Sequence, residues 1–260
     1  RITVTDMIFI YLTIALANMY LFRISKELIQ LLFWIIMYLY IRKGGRNPYP
    51  LLIIYIIEGM VFRVYYYAIG IVTMLIYLLM SKGKKNNIIK IIVYSSIICF
   101  LGLVVLKNIS PSSYNYLLNL RILINQNRLE SYDAITIIND WITNNGSVIV
   151  FMINYVINFI RMIFPIELVT KGIKYIPFII YQLYLIISLI RITAYVIKQK
   201  KEKYYIYIAI IFGYMAIANL FEPDFGSLIR HEVTLYVIYL ELFIDIKKEW
   251  ILEYESRKKH

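Results

Sequence analysis

Apolar runs of nearly membrane-crossing length follow one another along this chain and leave few folds open to it. A helix needs about 20 apolar residues to traverse the hydrocarbon core, with a working range of roughly 17 to 25. Eight runs qualify or come close, over residues 6–22, 27–41, 50–62, 64–80, 88–106, 176–197, 204–220 and 228–246. In lipid each segment must satisfy its own backbone polar groups, so such runs predict helices rather than open sheets. Composition removes the soluble alternative: 61% of the 260 residues are hydrophobic and 17% are charged, where soluble domains carry roughly 25% charged residues. The expected fold is all-α, a polytopic integral membrane bundle forming one transmembrane domain over 1–260. It has about eight transmembrane helices plus one re-entrant or interfacial helix in a large outer loop at 107–175.

Two of the runs, 27–41 and 50–62, are short, and 50–80 can also be read as one long tilted helix. Two helices are preferred there, because Glu58, Gly59 and Arg63 interrupt the run at its middle. An arginine at the bilayer centre costs several kcal/mol. A turn at that point places Arg63 at an interface.

Charge sets the orientation. The 28 Lys and Arg outnumber the 16 Asp and Glu, for a net charge of +12. In a soluble protein that excess would point to nucleic acid; here the basic residues cluster between apolar runs. Four basic groups fall on one side if every run crosses. They are Arg42, Lys43 and Arg46; Lys82, Lys84, Lys85 and Lys90; Lys198, Lys200, Lys201 and Lys203; and the tail with Lys247, Lys248, Arg257, Lys258 and Lys259. By the positive-inside rule that side is cytoplasmic. The outside keeps Arg23, Lys26, Arg63, the 107–175 segment and the turn at 221–232.

One cysteine, Cys99, and two histidines exclude a disulfide framework within the chain, a thiolate cluster and a redox pair, and make a zinc or haem site improbable. No phosphate loop, zinc-protease or nucleophile-elbow pattern is present. Neither metal nor cofactor is expected. Heavy use of Ile, Tyr, Lys and Asn suits AT-rich codons, of a low-GC bacterium or of an organelle. The chain opens on Arg1 rather than Met, as an internal fragment lacking upstream spans would.

The outer segment of about 70 residues is too long for a passive connector and is the expected working part. Its first half is polar, with Arg121 and Arg128 among several asparagines, and the apolar positions of 119–140 are compatible with short helices. Its second half is apolar except for Asn154, Asn158 and Arg161, spaced i, i+4 and i+7 on one helical face. Pro165 ends that helix. A re-entrant or interfacial helix with its polar stripe facing a cavity keeps the basic loops on one side; a true span beside a misread neighbour is the alternative.

The sharpest local feature is the stretch Phe221-Glu-Pro-Asp-Phe-Gly-Ser-Leu-Ile-Arg-His-Glu232, a charged turn between two apolar runs. Pro223 and Gly226 break the chain, and Ser227 is placed to cap the last helix. Arg230 and His231 then fall in the first turn, where free backbone N–H groups favour an anion such as phosphate. Arginine holds phosphate through a planar donor fork, and histidine takes up a proton near neutral pH. Anchoring of the loop by an Arg230 pair with Glu222, Asp224 or Glu232 is the structural alternative. Arg63 and Arg161 are the next candidates, each a single cation among apolar and aromatic residues, with snorkelling to headgroups as the alternative. Arg23 and Lys26, beside Glu27, fit an interfacial cluster, and most of the 26 tyrosines fit an aromatic belt.

The chain resembles the polytopic polysaccharide polymerases of bacterial capsule, exopolysaccharide and O-antigen synthesis, the Wzy and EpsG-like group. The features that carry the resemblance are the Arg23 to Glu27 corner, Phe62-Arg63-Val64-Tyr65-Tyr66, the large outer loop, Asn158-Phe-Ile-Arg161 with Phe164-Pro165, and the Glu222 to His231 turn. It implies a metal-independent glycosyl transfer at the outer face of the cytoplasmic membrane, joining oligosaccharide units carried on undecaprenyl pyrophosphate. On that reading Arg230, Arg161 and Arg63 neutralise the departing pyrophosphate, and His231, or failing that Asp224, deprotonates the acceptor hydroxyl. Asn158, Arg23, Arg121 and Arg128 join the substrate-binding set. The implied partners are the lipid-linked oligosaccharide, membrane lipid, and flippase and chain-length regulator proteins, with no nucleic acid. A ligase or flippase of the same pathway would use similar arginines. A non-catalytic subunit of an organelle respiratory or ATP-synthase complex is the runner-up, with Glu58 and Arg191 as its candidate intramembrane charges.

Overall fold

The computed structural model describes residues 3–21, 26–45, 47–82, 88–129, 136–143, 146–222 and 224–258. Among them all regular structure is helical, and the one strand-like contact is an isolated antiparallel bridge between Ile137 and Asp224. The α-helices are α1 (Val4–Leu21), α2 (Lys26–Arg42), α3 (Tyr49–Val61), α4 (Tyr65–Lys82), α5 (Ile88–Ile109), α6 (Pro111–Leu129), α7 (Val148–Ile163), α8 (Ile176–Lys198), α9 (Tyr205–Phe221), α10 (Phe225–Glu232) and α11 (Tyr236–Lys258).

The ends of these helices follow from local chemistry. Gly44, at φ +89°, follows α2 in the left-handed conformation that glycine adopts at no steric cost, with its N–H on the carbonyl of Ile41. Proline opens α6 at Pro111 and lies in the first turn of α3 and α8, where its missing N–H costs nothing. The Ser147 side chain accepts from the N–H of Val150 and caps α7. Pro165 follows directly after the end of that helix.

Two boundaries differ from the sequence expectation. The polar half of the outer segment forms one 19-residue helix, α6, which starts at Pro111 rather than as short helices within 119–140. The last apolar run divides in two: α10 ends at Glu232, a 3-10 turn spans Val233–Leu235, and α11 starts at Tyr236.

Among the described residues three helical stretches, Val4–Leu21, Ile173–Lys198 and Glu202–Phe221, are long and apolar enough to cross a membrane; Tyr49–Val61, Tyr65–Ser81, Phe100–Ile109 and Val148–Ile163 are apolar but shorter. Outward faces of the bundle are also apolar. On α2, Ile29, Leu32, Ile36 and Leu39 repeat at helical spacing and are all exposed, a surface suited to lipid rather than water.

Helix α9 is the centre of the bundle. Seven consecutive residues, Tyr205 to Ile211, are buried, as happens when a helix is apolar all round and enclosed by others. Its closest neighbour is α4, brought in by Gly213: a Cβ there would lie 2.3 Å from the Thr73 hydroxyl and 3.0 Å from Thr73 backbone atoms. The Tyr155 hydroxyl donates to the Ala216 carbonyl at 2.7 Å and Asn219 donates to the Tyr155 carbonyl at 3.0 Å, tying α7 to α9. Contacts at the helix ends fix the relative directions. Lys201, just before α9, pairs with Glu249 late on α11; Glu222, just after α9, faces Arg63 at the corner of α3 and α4. Basic residues thus gather at the start of α9, and the charged turn lies about 25 Å away at its end, from 17 residues at about 1.5 Å rise each.

Candidate functional site

The corner between α3 and α4 is tight. The N–H of Phe62 bonds to the Glu58 carbonyl, and that of Tyr66 to the carbonyl of Arg63, so Phe62, Arg63 and Val64 make the whole connection between the two helices. Its Nη1 donates to the Tyr65 hydroxyl at 3.0 Å and lies 3.6 Å from Oε1 of Glu222. The Tyr65 ring stacks on Phe221 at 4.9 Å and on Tyr66 at 5.0 Å, which fixes the hydroxyl that Arg63 uses. Burial opposes the charge on Arg63, but Tyr65 and Glu222 more than restore it, and its pKa lies above the ordinary arginine value.

The turn after α9 is built by its own acids. Glu222 accepts from the Ser227 hydroxyl. The cap of the next helix is Asp224, whose Oδ1 accepts from the Ser227 N–H at 2.7 Å. The expected Ser227 cap is therefore replaced by Asp224, three residues earlier. The physical reason is that Asp224 is extended and bridged to Ile137, with Phe225 N–H on the Thr136 carbonyl, so the helix begins as soon as that bridge ends. Arg230 and His231 consequently sit in the last turn of α10, not in a first turn with free N–H groups, and the helix-N-terminus argument for anion binding does not apply to them.

That last turn meets the start of α2. Arg230 Nε lies 2.9 Å from Oε1 of Glu27. His231 stands between two carboxylates, with Nδ1 3.9 Å from Glu27 and Nε2 3.6 Å from Glu222. The result is a continuous series, Arg63, Glu222, His231, Glu27, Arg230, drawn from three separate parts of the sequence. Its interior members Glu222, His231 and Glu27 are buried, whereas the side chains of Arg63 and Arg230 are 38% and 44% exposed. Two cations thus flank a buried histidine and face outward.

Arg161 belongs to a second, adjoining cluster. Its guanidinium holds Glu167 through two contacts of 2.8 and 3.0 Å, donates to the Asn139 carbonyl at 2.7 Å and to the Asn158 side chain at 2.9 Å, and covers the Trp141 ring. Asn158 donates to Asp140 at 2.5 Å, and Asn154 brackets the backbone of Ile142 with bonds of 2.6 and 3.1 Å. The polar stripe of α7 does share one face; the chain's own 139–142 loop occupies it. The other end of that loop, Thr136 and Ile137, lies against Asp224 and Phe225, so α7 braces the turn that carries Arg230 and His231.

Of the remaining candidates, Arg23 lies outside the described residues. Arg121 and Arg128 are on α6, with side chains outside the described set. Among the described residues no group of three or more His, Cys, Asp or Glu is placed to hold a metal ion. The sequence reading left two members without their roles: Glu27, which carries the Arg230 contact, and Glu167, which engages Arg161. Their signal was there, a lone acid at a helix start and another just past a proline, but their partners lie across the fold or around a turn. Comparisons with protein-family models, with curated proteins and with solved structures give no match.

Proposed function

We propose that this chain is a multi-pass protein of the cytoplasmic membrane that joins oligosaccharide units carried on undecaprenyl pyrophosphate, at the outer face. The observation that carries the reading is the series from Arg63 to Arg230, which sets two outward-facing guanidinium groups on either side of a histidine held between carboxylates. In this reading about eight helices cross the membrane, the basic end is cytoplasmic, and the charged turn faces outward.

The chemistry follows from the residues. The acceptor hydroxyl attacks the anomeric carbon of the donor unit, the bond to pyrophosphate breaks, and the pyrophosphate lipid departs with the electron pair. Arg63 and Arg230 meet the charge that develops on it, each through a guanidinium that offers five N–H donors. His231 takes the hydroxyl proton, and Glu222 and Glu27 stabilise the imidazolium that forms. Asp224, engaged as a cap, is a positioning residue, as is Arg161, which holds the bracing loop. Flippase and chain-length regulator proteins would supply the substrate and set product size.

The test is the accumulation of lipid-linked units in cells carrying Arg230→Ala or His231→Ala, with membrane levels of the protein matched to the unmutated chain. The reading expects short units to build up and long polymer to disappear; unchanged polymer in both would remove it. One observation favours a purely structural role for the same residues: Arg63 and Arg230 each already meet a carboxylate within the fold.

A further inference from the structure

Glu58 stands apart from every charge described above. It is fully buried, at 0% exposure, on α3, and neither carboxylate oxygen has a hydrogen-bond partner among the described residues. Its neighbourhood is aromatic and neutral. Tyr55 lies three residues before it on the same helix, and α4 opens with Tyr65 and Tyr66. The Tyr55 hydroxyl accepts from the Thr73 hydroxyl and that of Tyr66 accepts from the Gln30 amide. Trp34 on α2 and Tyr214 on α9 pack edge-on at 6.0 Å, Trp34 also against Tyr55, and the Trp34 Nε1 and the Tyr214 hydroxyl likewise lack partners among the described residues. The ion pair of Arg63 and Glu222 lies beside this core, where Arg63 donates to the Tyr65 hydroxyl.

A carboxylate with neither an ion pair nor a hydrogen bond in such surroundings is far costlier than a neutral carboxylic acid, and the group escapes the cost by holding a proton. An orphan acid is otherwise avoided, since glutamine or an apolar residue would fill the same space. We propose that Glu58 is a proton-binding site in the bundle interior, a buried carboxylic acid that holds its proton. The ligand is a proton; a metal cation would require donor oxygens that the aromatic surroundings do not assemble.

The proposal is independent of glycosyl transfer, and its test needs no substrate. The infrared spectrum of the full chain in lipid nanodiscs would be recorded at neutral pH for the unmutated protein, Glu58→Gln, Glu58→Asp and Glu222→Gln. The expected result is a protonated-carboxyl C=O band that Glu58→Gln loses, Glu58→Asp shifts and Glu222→Gln keeps. The band should move on transfer to D2O. Identical spectra for the unmutated chain and Glu58→Gln would overturn the proposal. So would loss of the band when sodium replaces choline at fixed pH, which would make this a metal-cation site.

Discussion

Three of the residues that matter, Arg63, Arg230 and His231, announce themselves in the sequence because each is a charged or titratable side chain set among apolar neighbours. Glu27 does not, since its partner Arg230 is two hundred residues away in the chain and no local spacing reveals it. Asp224 shows how similar local signals can divide. Both Asp224 and Ser227 have side chains that cap helices well, and the choice depends on the bridge to Ile137, a tertiary contact that periodicity cannot show. The cap assignment makes a prediction. Asp224→Ala should lower stability by about 1 kcal/mol in a thermal melt in detergent, while Asp224→Asn should keep both fold and polymer. A loss of polymer in a well-folded Asp224→Asn would show that Asp224, and not only His231, handles the proton.

Helices were the most legible level, because a 3.6-residue rhythm and flanking proline or glycine mark them locally. What the apolar runs could not show is which helix sits in the middle: α3, α5 and α9 read much alike, and the close seat of α9 against α4 depends on Gly213. Gly213→Val should therefore cost about 1–3 kcal/mol through overpacking, and pairing it with Thr73→Ala should recover part of that, since the Thr73 hydroxyl is the nearest obstacle. Equal melting of Gly213→Val and the unmutated chain would contradict the close α4 and α9 contact. At the opposite end, beyond the last apolar run, Lys201, Lys203 and the Tyr204 hydroxyl converge on Glu249. Burial works to raise its pKa, and these donors outweigh it and hold the carboxyl below its ordinary value. A depressed folded value means stability that is full above the unfolded carboxylate value of about 4.3 and is lost as the pH falls toward and through the folded one. Melting temperatures should drop on acidification through that window, by an amount equivalent to at most about 1 kcal/mol for so exposed a cluster. Glu249→Gln should flatten that part of the profile, and an unchanged profile would remove the assignment.

At the scale of the whole molecule, the bundle separates its charges: basic residues collect at the start of α9, and the mixed ion series closes its other end. That separation was readable from the spacing of apolar runs and basic loops. The convergence of α2, the α3 and α4 corner and α10 on one place was not, because nothing local in a sequence states which helix ends meet. The central claim is that Arg230 acts on a substrate rather than only on Glu27. Exchanging the pair, Glu27→Arg with Arg230→Glu, separates the two roles, because the ion contact is preserved while the cation moves to α2. Polymer length and membrane level of this double variant would be compared with the unmutated chain and with each single change. The account predicts that the exchange restores the protein level lost in the single variants and leaves lipid-linked units unjoined. Restored polymer in the exchanged pair would contradict it and leave Arg230 as a structural partner of Glu27.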